Sequence, residues 1–171
     1  LFRGTYAPLL RHSAHVLTPD WRYASEGESA SDYACRAAAE LEAYFAQHHA
    51  ETAAFIVEPL VQGAGGMGMY HPNYLTLARQ ICDKYQVHLI ADEIAVGFGR
   101  TGTMFACSQA NIVPDFLCLA KGLSGGYLPL CVVMTTDMVY QAFYHDETER
   151  GFLHSHTHAG NALACRAALA T

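Results

Sequence analysis

Apolar residues fall along this chain in short blocks, and their spacing alternates between two periods. From Asp32 to about His49 they recur at Ala34, Ala37, Ala38, Leu41, Tyr44 and Phe45, which predicts an amphipathic helix with Asp32 as its N-cap. A second stripe at Tyr74, Leu75, Ala78, Ile81, Cys82 and Tyr85 predicts a helix that opens at Pro72. Four nearly continuous apolar runs read as short buried strands: AAFIVEPL, which closes on Glu58 and Pro59, then VHLIAD, DFLCLA and PLCVVMTT. Asp137 predicts the cap of a short helix through Phe143, and Asn161 opens an alanine-rich helix. VQGAGGMGM is a glycine-rich loop, and residues 1–31, with Pro8, Pro19 and the polar run ASEGESASD, predict mostly loop.

Such strands alternating with helices predict an α/β domain with a mostly parallel sheet covered on both faces. No repeat, low-complexity tract or linker divides the 171 residues, which are enough for one domain with a real core. The chain begins at Leu1 and ends at Thr171 inside a predicted helix, so it is expected to be a piece of a longer protein. A hydrophobic share of 51% and a charged share of 15% are those of a globular chain. The formal charge of −6 gives no support for a nucleic-acid partner, and no apolar run is long enough to span a bilayer. Cys35, Cys82, Cys107, Cys118, Cys131 and Cys165 form no C-x-x-C pair and lie mostly in apolar runs. They predict free thiols in a reducing compartment, hence a cytoplasmic protein without disulfides.

The chemistry stands where the strands end. Open α/β sheets bind ligands at the carboxyl ends of their strands, and here those ends carry Glu58, then Asp92 with Glu93, then Lys121. Taken singly, the lysine can emerge into solvent, the aspartate can cap a helix and the glutamate can anchor a loop. Together they put an acid and an amine on successive strands, where both can reach one ligand. Pyridoxal phosphate (PLP) needs both groups. Its aldehyde forms a Schiff base with a lysine amine, and its ring nitrogen needs a carboxylate to stay protonated. On that reading Asp92 is buried because a pyridinium pairs with it, which offsets the cost of desolvation.

The segments LIADEIAVGFGRTG and PDFLCLAKGLSGGYLPL resemble the class III aminotransferases of PLP fold type I. The matches spread over most of residues 53–165, and residues 1–50 agree only in layout. The resemblance implies part of the PLP-binding large domain over residues 1–171, with the phosphate cup upstream and the carboxylate-gripping arginine downstream, in a small domain beyond Thr171. A piece of this kind is not expected to be an efficient catalyst alone. The resemblance also implies that Asp92 contacts the ring nitrogen, that Lys121 carries the cofactor and serves as general base, and that Glu58, with Pro59 and Gly63, borders the site. Ile94 would pack on a face of the ring. Thr157 would reach the phosphate held by the neighbouring subunit of a homodimer. Arg100 falls on the substrate side, and Tyr127 helps shape the substrate pocket.

Ala95 stands where many members have a glutamine near the cofactor's phenolic oxygen, which departs from the ornithine and acetylornithine pattern. With EPLVQGAGGMGMYHP, AFYHD and FLHSHTHAGN, it is similar to the branch that moves the amino group of S-adenosylmethionine onto 8-amino-7-oxononanoate in biotin synthesis. The alternative within the family is an ω-aminotransferase that takes ornithine, 4-aminobutyrate or β-alanine. Two further readings lie outside it. HSHTH places His154, His156 and His158 on one face if extended, as zinc ligands would be, but no fourth ligand pattern accompanies them, and no metal is expected. GAGGMG fits the nucleotide-loop form G-x-G-x-x-G, although Pro59 and the distance to Pro72 spoil its strand–turn–helix context.

Overall fold

The computed structural model describes residue 4, residues 7–9 and residues 13–171. Its centre is a four-stranded sheet of β1 (Ala54–Val57), β4 (His88–Asp92), β5 (Phe116–Leu119) and β6 (Val132–Thr135), ordered β1-β4-β5-β6. Three of these strands are parallel, and β6 runs antiparallel to β5, so the sheet is mostly parallel. A separate hairpin pairs β2 (Val61–Gln62) with β3 (Gly68–Met69). The described helices are α1 (Ala30–His48), α2 (Asn73–Tyr85), α3 (Asp137–Phe143) and α4 (Ala162–Ala170).

Helix α1 starts two residues before Asp32. Its N-cap is Ser29, whose Oγ accepts the Asp32 N–H at 3.1 Å and donates to Asp32 Oδ2 at 2.7 Å. Both residues are cap formers; serine takes the cap because the aspartate in the first turn closes a reciprocal pair with it. The apolar stripes of α1 and α2 face one another, and Ala34, Ala37, Ala38 and Ala78 let the helices approach closely. Leu41, Phe45, Tyr74 and Leu75 fill the space between them and the sheet.

Because side chains alternate along a strand, Phe55, Val57, Leu89 and Ala91 share one face, and α1 and α2 pack on it. The opposite face carries Ile56, Ile90, Asp92, Cys118 and Val133. The cover is uneven, with Ile56 61% and Val133 63% exposed.

Asp115 ties α2 to the sheet. Its Oδ2 accepts Arg79 Nη1 at 2.8 Å and the Leu89 N–H at 2.7 Å. Burial alone would raise its carboxyl, but these bonds hold it below the ordinary carboxylate value. Between β4 and β5 the connection is a glycine-rich loop and a short 3-10 turn, Ala106–Ala110, in place of a crossover α-helix. Phe98, at φ 55°, and Gly99, at φ 84°, occupy left-handed backbone there, which an α-helix does not admit. All six cysteines are free thiols. No helix among the described residues is long and apolar enough to cross a membrane.

Candidate active site

The ends of β1, β4 and β5 lie side by side, so Glu58, Asp92 and Lys121 leave the same edge of the sheet. Asp92 pairs in register with Cys118, and Lys121 follows that partner by three residues. Strand spacing and rise put the two α-carbons on the order of 10 Å apart, room for a planar ring between the side chains. Asp92 is half-buried. Its Oδ1 accepts the Ile94 N–H at 3.1 Å, and among the described residues no hydrogen bond reaches Oδ2. Burial, followed by the nearby Asp92 charge, pushes the Cys118 thiol up, as expected of two side chains on one face.

Lys121 opens a 3-10 turn, Lys121–Ser124, and its backbone is left-handed at φ 45°. A non-glycine residue there stores on the order of 1–2 kcal/mol of strain, which persists only where the surroundings impose it. The surroundings here are specific. Ser124 is buried and donates to the Leu128 carbonyl. The Gly125 N–H returns to the Gly122 carbonyl at 3.0 Å, and the Gly126 N–H to that of Lys121 at 3.3 Å. The Lys121 side chain is exposed, and no ion pair engages it among the described residues.

Glu93, next to Asp92, behaves in the opposite way. It is completely buried, and its carboxylate accepts the Ala106 N–H at 2.7 Å and the Cys107 N–H at 2.8 Å. Of the adjacent pair it is therefore Glu93 that this chain encloses, while Asp92, expected to be buried against a pyridinium, is half-buried. The DE pair was visible in the sequence, but the amides that take up Glu93 lie 13 and 14 residues further on.

Glu58 follows β1, and its backbone carbonyl accepts the Tyr70 hydroxyl at 2.7 Å. Its Oε1 lies 3.5 Å from where a Cβ on Gly63 would stand, so the E-P-x-x-x-G residues do meet in space. Ile94 sits directly beyond Asp92 and is half-buried. Arg100, Tyr127 and Thr157 stand exposed on three different loops. Tyr127 is 86% exposed, and Thr157 lies in the turn before α4, the helix that packs against the Lys121–Ser124 turn.

GAGGMG forms the connection of the β2–β3 hairpin, not a strand–turn–helix, so the nucleotide-loop reading fails on backbone geometry. His154, His156 and His158 do not converge. The His154 ring packs on Phe152, the His156 and His158 rings are 6.4 Å apart, and no described group of three potential ligands is placed to hold a metal ion.

Among the described residues, a carboxylate oxygen without a partner, an unpaired amine in the turn after the neighbouring parallel strand and strain stored at the lysine define a site able to hold a carbonyl cofactor with a basic ring nitrogen. That donor set fits PLP. Residues 4–171 match the family described as aminotransferase class-III, and the chain belongs to this PLP-dependent family. Over 172 residues and all of this chain it is 44% identical to adenosylmethionine-8-amino-7-oxononanoate aminotransferase of Nitratidesulfovibrio vulgaris, covering 32% of that protein. The protein of the same name from Helicobacter pylori is 46% identical, again over the whole chain and 37% of the relative. The chain thus spans about a third of the length of these curated relatives. Among solved structures, that of the Methanocaldococcus jannaschii protein of this name superposes with a TM-score of 0.83 at 37% identity, covering 99% of this chain and 37% of that one. An (S)-enantioselective ω-transaminase from Thermomicrobium roseum superposes with a TM-score of 0.86 at 32% identity, covering 98% and 38%.

Proposed function

We propose that the protein containing this chain transfers the amino group of S-adenosylmethionine to 8-amino-7-oxononanoate, giving 7,8-diaminononanoate in biotin biosynthesis. The observation that carries this reading is full-chain identity of 44% and 46% to two relatives of that name. Ala95, in place of the family's frequent glutamine, supports it.

When bound, PLP supplies an aldehyde that takes up the amino group and a ring that accepts the electrons of the broken C–H bond. Lys121 would hold it through Nζ, and the same amine would move the proton as general base. Asp92, through its free Oδ2, keeps a proton on the ring nitrogen. Ile94 supports one face of the ring, and Glu58 borders the site. Thr157 binds the phosphate held by a second subunit, so the working unit is a homodimer. Arg100 and Tyr127 face the substrates. Residues 1–171 then form part of the PLP-binding large domain. Six free thiols suit a cytoplasmic enzyme.

The test is a half-reaction. Full-length protein with S-adenosylmethionine alone should convert the bound cofactor to its amine form, read as a change in its visible spectrum. Addition of 8-amino-7-oxononanoate should restore the spectrum and yield 7,8-diaminononanoate. Efficient turnover with ornithine, 4-aminobutyrate or β-alanine, with no acceptance of the oxononanoate, would replace this reading by an ω-aminotransferase of another pathway.

A further inference from the structure

Asp92 ends β4 and Lys121 opens the turn after β5, and the connection between those strands bonds Asp92 and packs against Gly122 of the lysine turn. It leaves β4 through Glu93, whose N–H donates to the Cys118 carbonyl at 2.9 Å. The Ile94 N–H bonds Asp92 Oδ1 at 3.1 Å. The Gly97 N–H returns to the Glu93 carbonyl at 2.9 Å, and a side chain at Gly97 would put a Cβ 3.0 Å from that oxygen. Phe98, held in left-handed backbone, stacks edge-on against Phe105 at 5.9 Å. Its other contact is with the lysine turn: a Cβ on Gly122 would stand 3.0 Å from Phe98 Cβ and 3.2 Å from its Cδ2. The far side of the loop is closed by the Glu93 carboxylate on the Ala106 and Cys107 N–H groups.

We infer that Glu93 is a positioning residue: by holding both ends of the 94–105 loop together it fixes Asp92 through Ile94 and backs the Lys121 turn through Phe98. Beside the β4–β5 pairing itself, this loop is a second link between the acid and the lysine turn. A buried carboxylate on two amide donors is a strong clamp, since charge-assisted bonds exceed neutral ones and an orphaned buried N–H is costly. The Lys121 backbone sits in a region it would leave if unsupported, so a loop that presses on Gly122 has leverage over the lysine. This role rests on the proposed PLP chemistry and names a residue that acts through Asp92 and Lys121 without touching the cofactor.

The experiment uses full-length holoenzyme. Glu93→Gln keeps the size of the side chain but turns one acceptor into a donor that faces an N–H. Its expected phenotype is retained PLP, a kcat lower by about tenfold or more with the donor KM nearly unchanged, and a shifted pH at which the visible band titrates. Amide exchange at Ala106 and Cys107 should quicken by at least roughly tenfold, with or without cofactor. Leu41→Ala, in the core of α1, supplies a variant of comparable thermal loss that should keep wild-type kcat and titration. Phe98→Ala removes the ring that backs Gly122 and stacks on Phe105, leaves the Glu93 carboxylate on its two amides, and should reproduce the titration shift even if Glu93→Gln does not fold. Wild-type kcat and titration in Phe98→Ala, or in a folded Glu93→Gln, overturns the inference, as does an equal kcat loss in Leu41→Ala. A wild-type protein that takes up no PLP refutes the proposed function itself, whereas a normal wild-type band with unaltered variants refutes only the role of Glu93.

Discussion

Asp92 and Cys118 are register partners on parallel strands β4 and β5, which places Lys121 three residues beyond the acid's partner at the same sheet edge. The acid leaves one strand and the amine leaves the next, so neither depends on a long flexible arm for its position. Loop 94–105 adds a second link, bonding Asp92 through Ile94 and packing against the lysine turn through Phe98.

Lys121 is the expected covalent anchor. Full-length protein should be yellow, borohydride should bleach the band, and peptide mapping should find the label on Lys121. A label on a different residue would contradict the assignment.

Asp92→Asn preserves shape and the bond from Ile94 but removes the charge. Turnover should fall by a factor corresponding to about 3 kcal/mol, the size of a lost charge-stabilising contact in a dry site, while the thermal midpoint changes little. Near-normal kcat would show that the ring nitrogen does not rely on this carboxylate.

Thr157 is exposed in its own chain, as a residue that serves a second subunit would be. Mixed subunits of full-length Lys121→Ala and Thr157→Ala should regain activity, because one of the two shared sites carries neither substitution. Proven heterodimers without regained activity would mean that each chain completes its own site.

Asp115 contributes to acid stability. Its folded carboxyl lies below its ordinary value, so it adds stability that is full above about pH 3.9 and is lost as the pH falls from there through the folded value. Asp115→Asn should lower stability at neutral pH by about 2–3 kcal/mol, from the broken Arg79 pair and the weakened Leu89 bond. It should also flatten the acid limb of the stability curve. Denaturant melts at pH 7 and below pH 4 measure both.

The order of strands and helices was legible from hydrophobic period, because each element buries one face and marks it locally. The buried stripe of α1 and the runs of β1, β4 and β5 are where the pattern places them. The pairing of an acid-ended strand with a lysine-ended one was legible too, since sequence-adjacent strands of an α/β sheet are usually neighbours. Residue types at those ends were enough to indicate carbonyl-cofactor chemistry.

Other features came from contacts between residues distant in sequence. Whether Asp92 or Glu93 is buried could not be read from two adjacent acids, because strand alternation sends them to opposite sides and the Ala106 and Cys107 amides decide which side accepts a carboxylate. The hairpin that claims GAGGMG depends on β2 pairing with β3, and the direction of β6 depends on how the turn after Lys121 folds back. Arg100, Tyr127 and Thr157 sit on exposed loops, where no periodicity constrains a side chain. Local pattern thus determined the elements and the chemical groups at their ends. Only tertiary structure decided which acid stays free, because burial and hydrogen bonding depend on which segments meet.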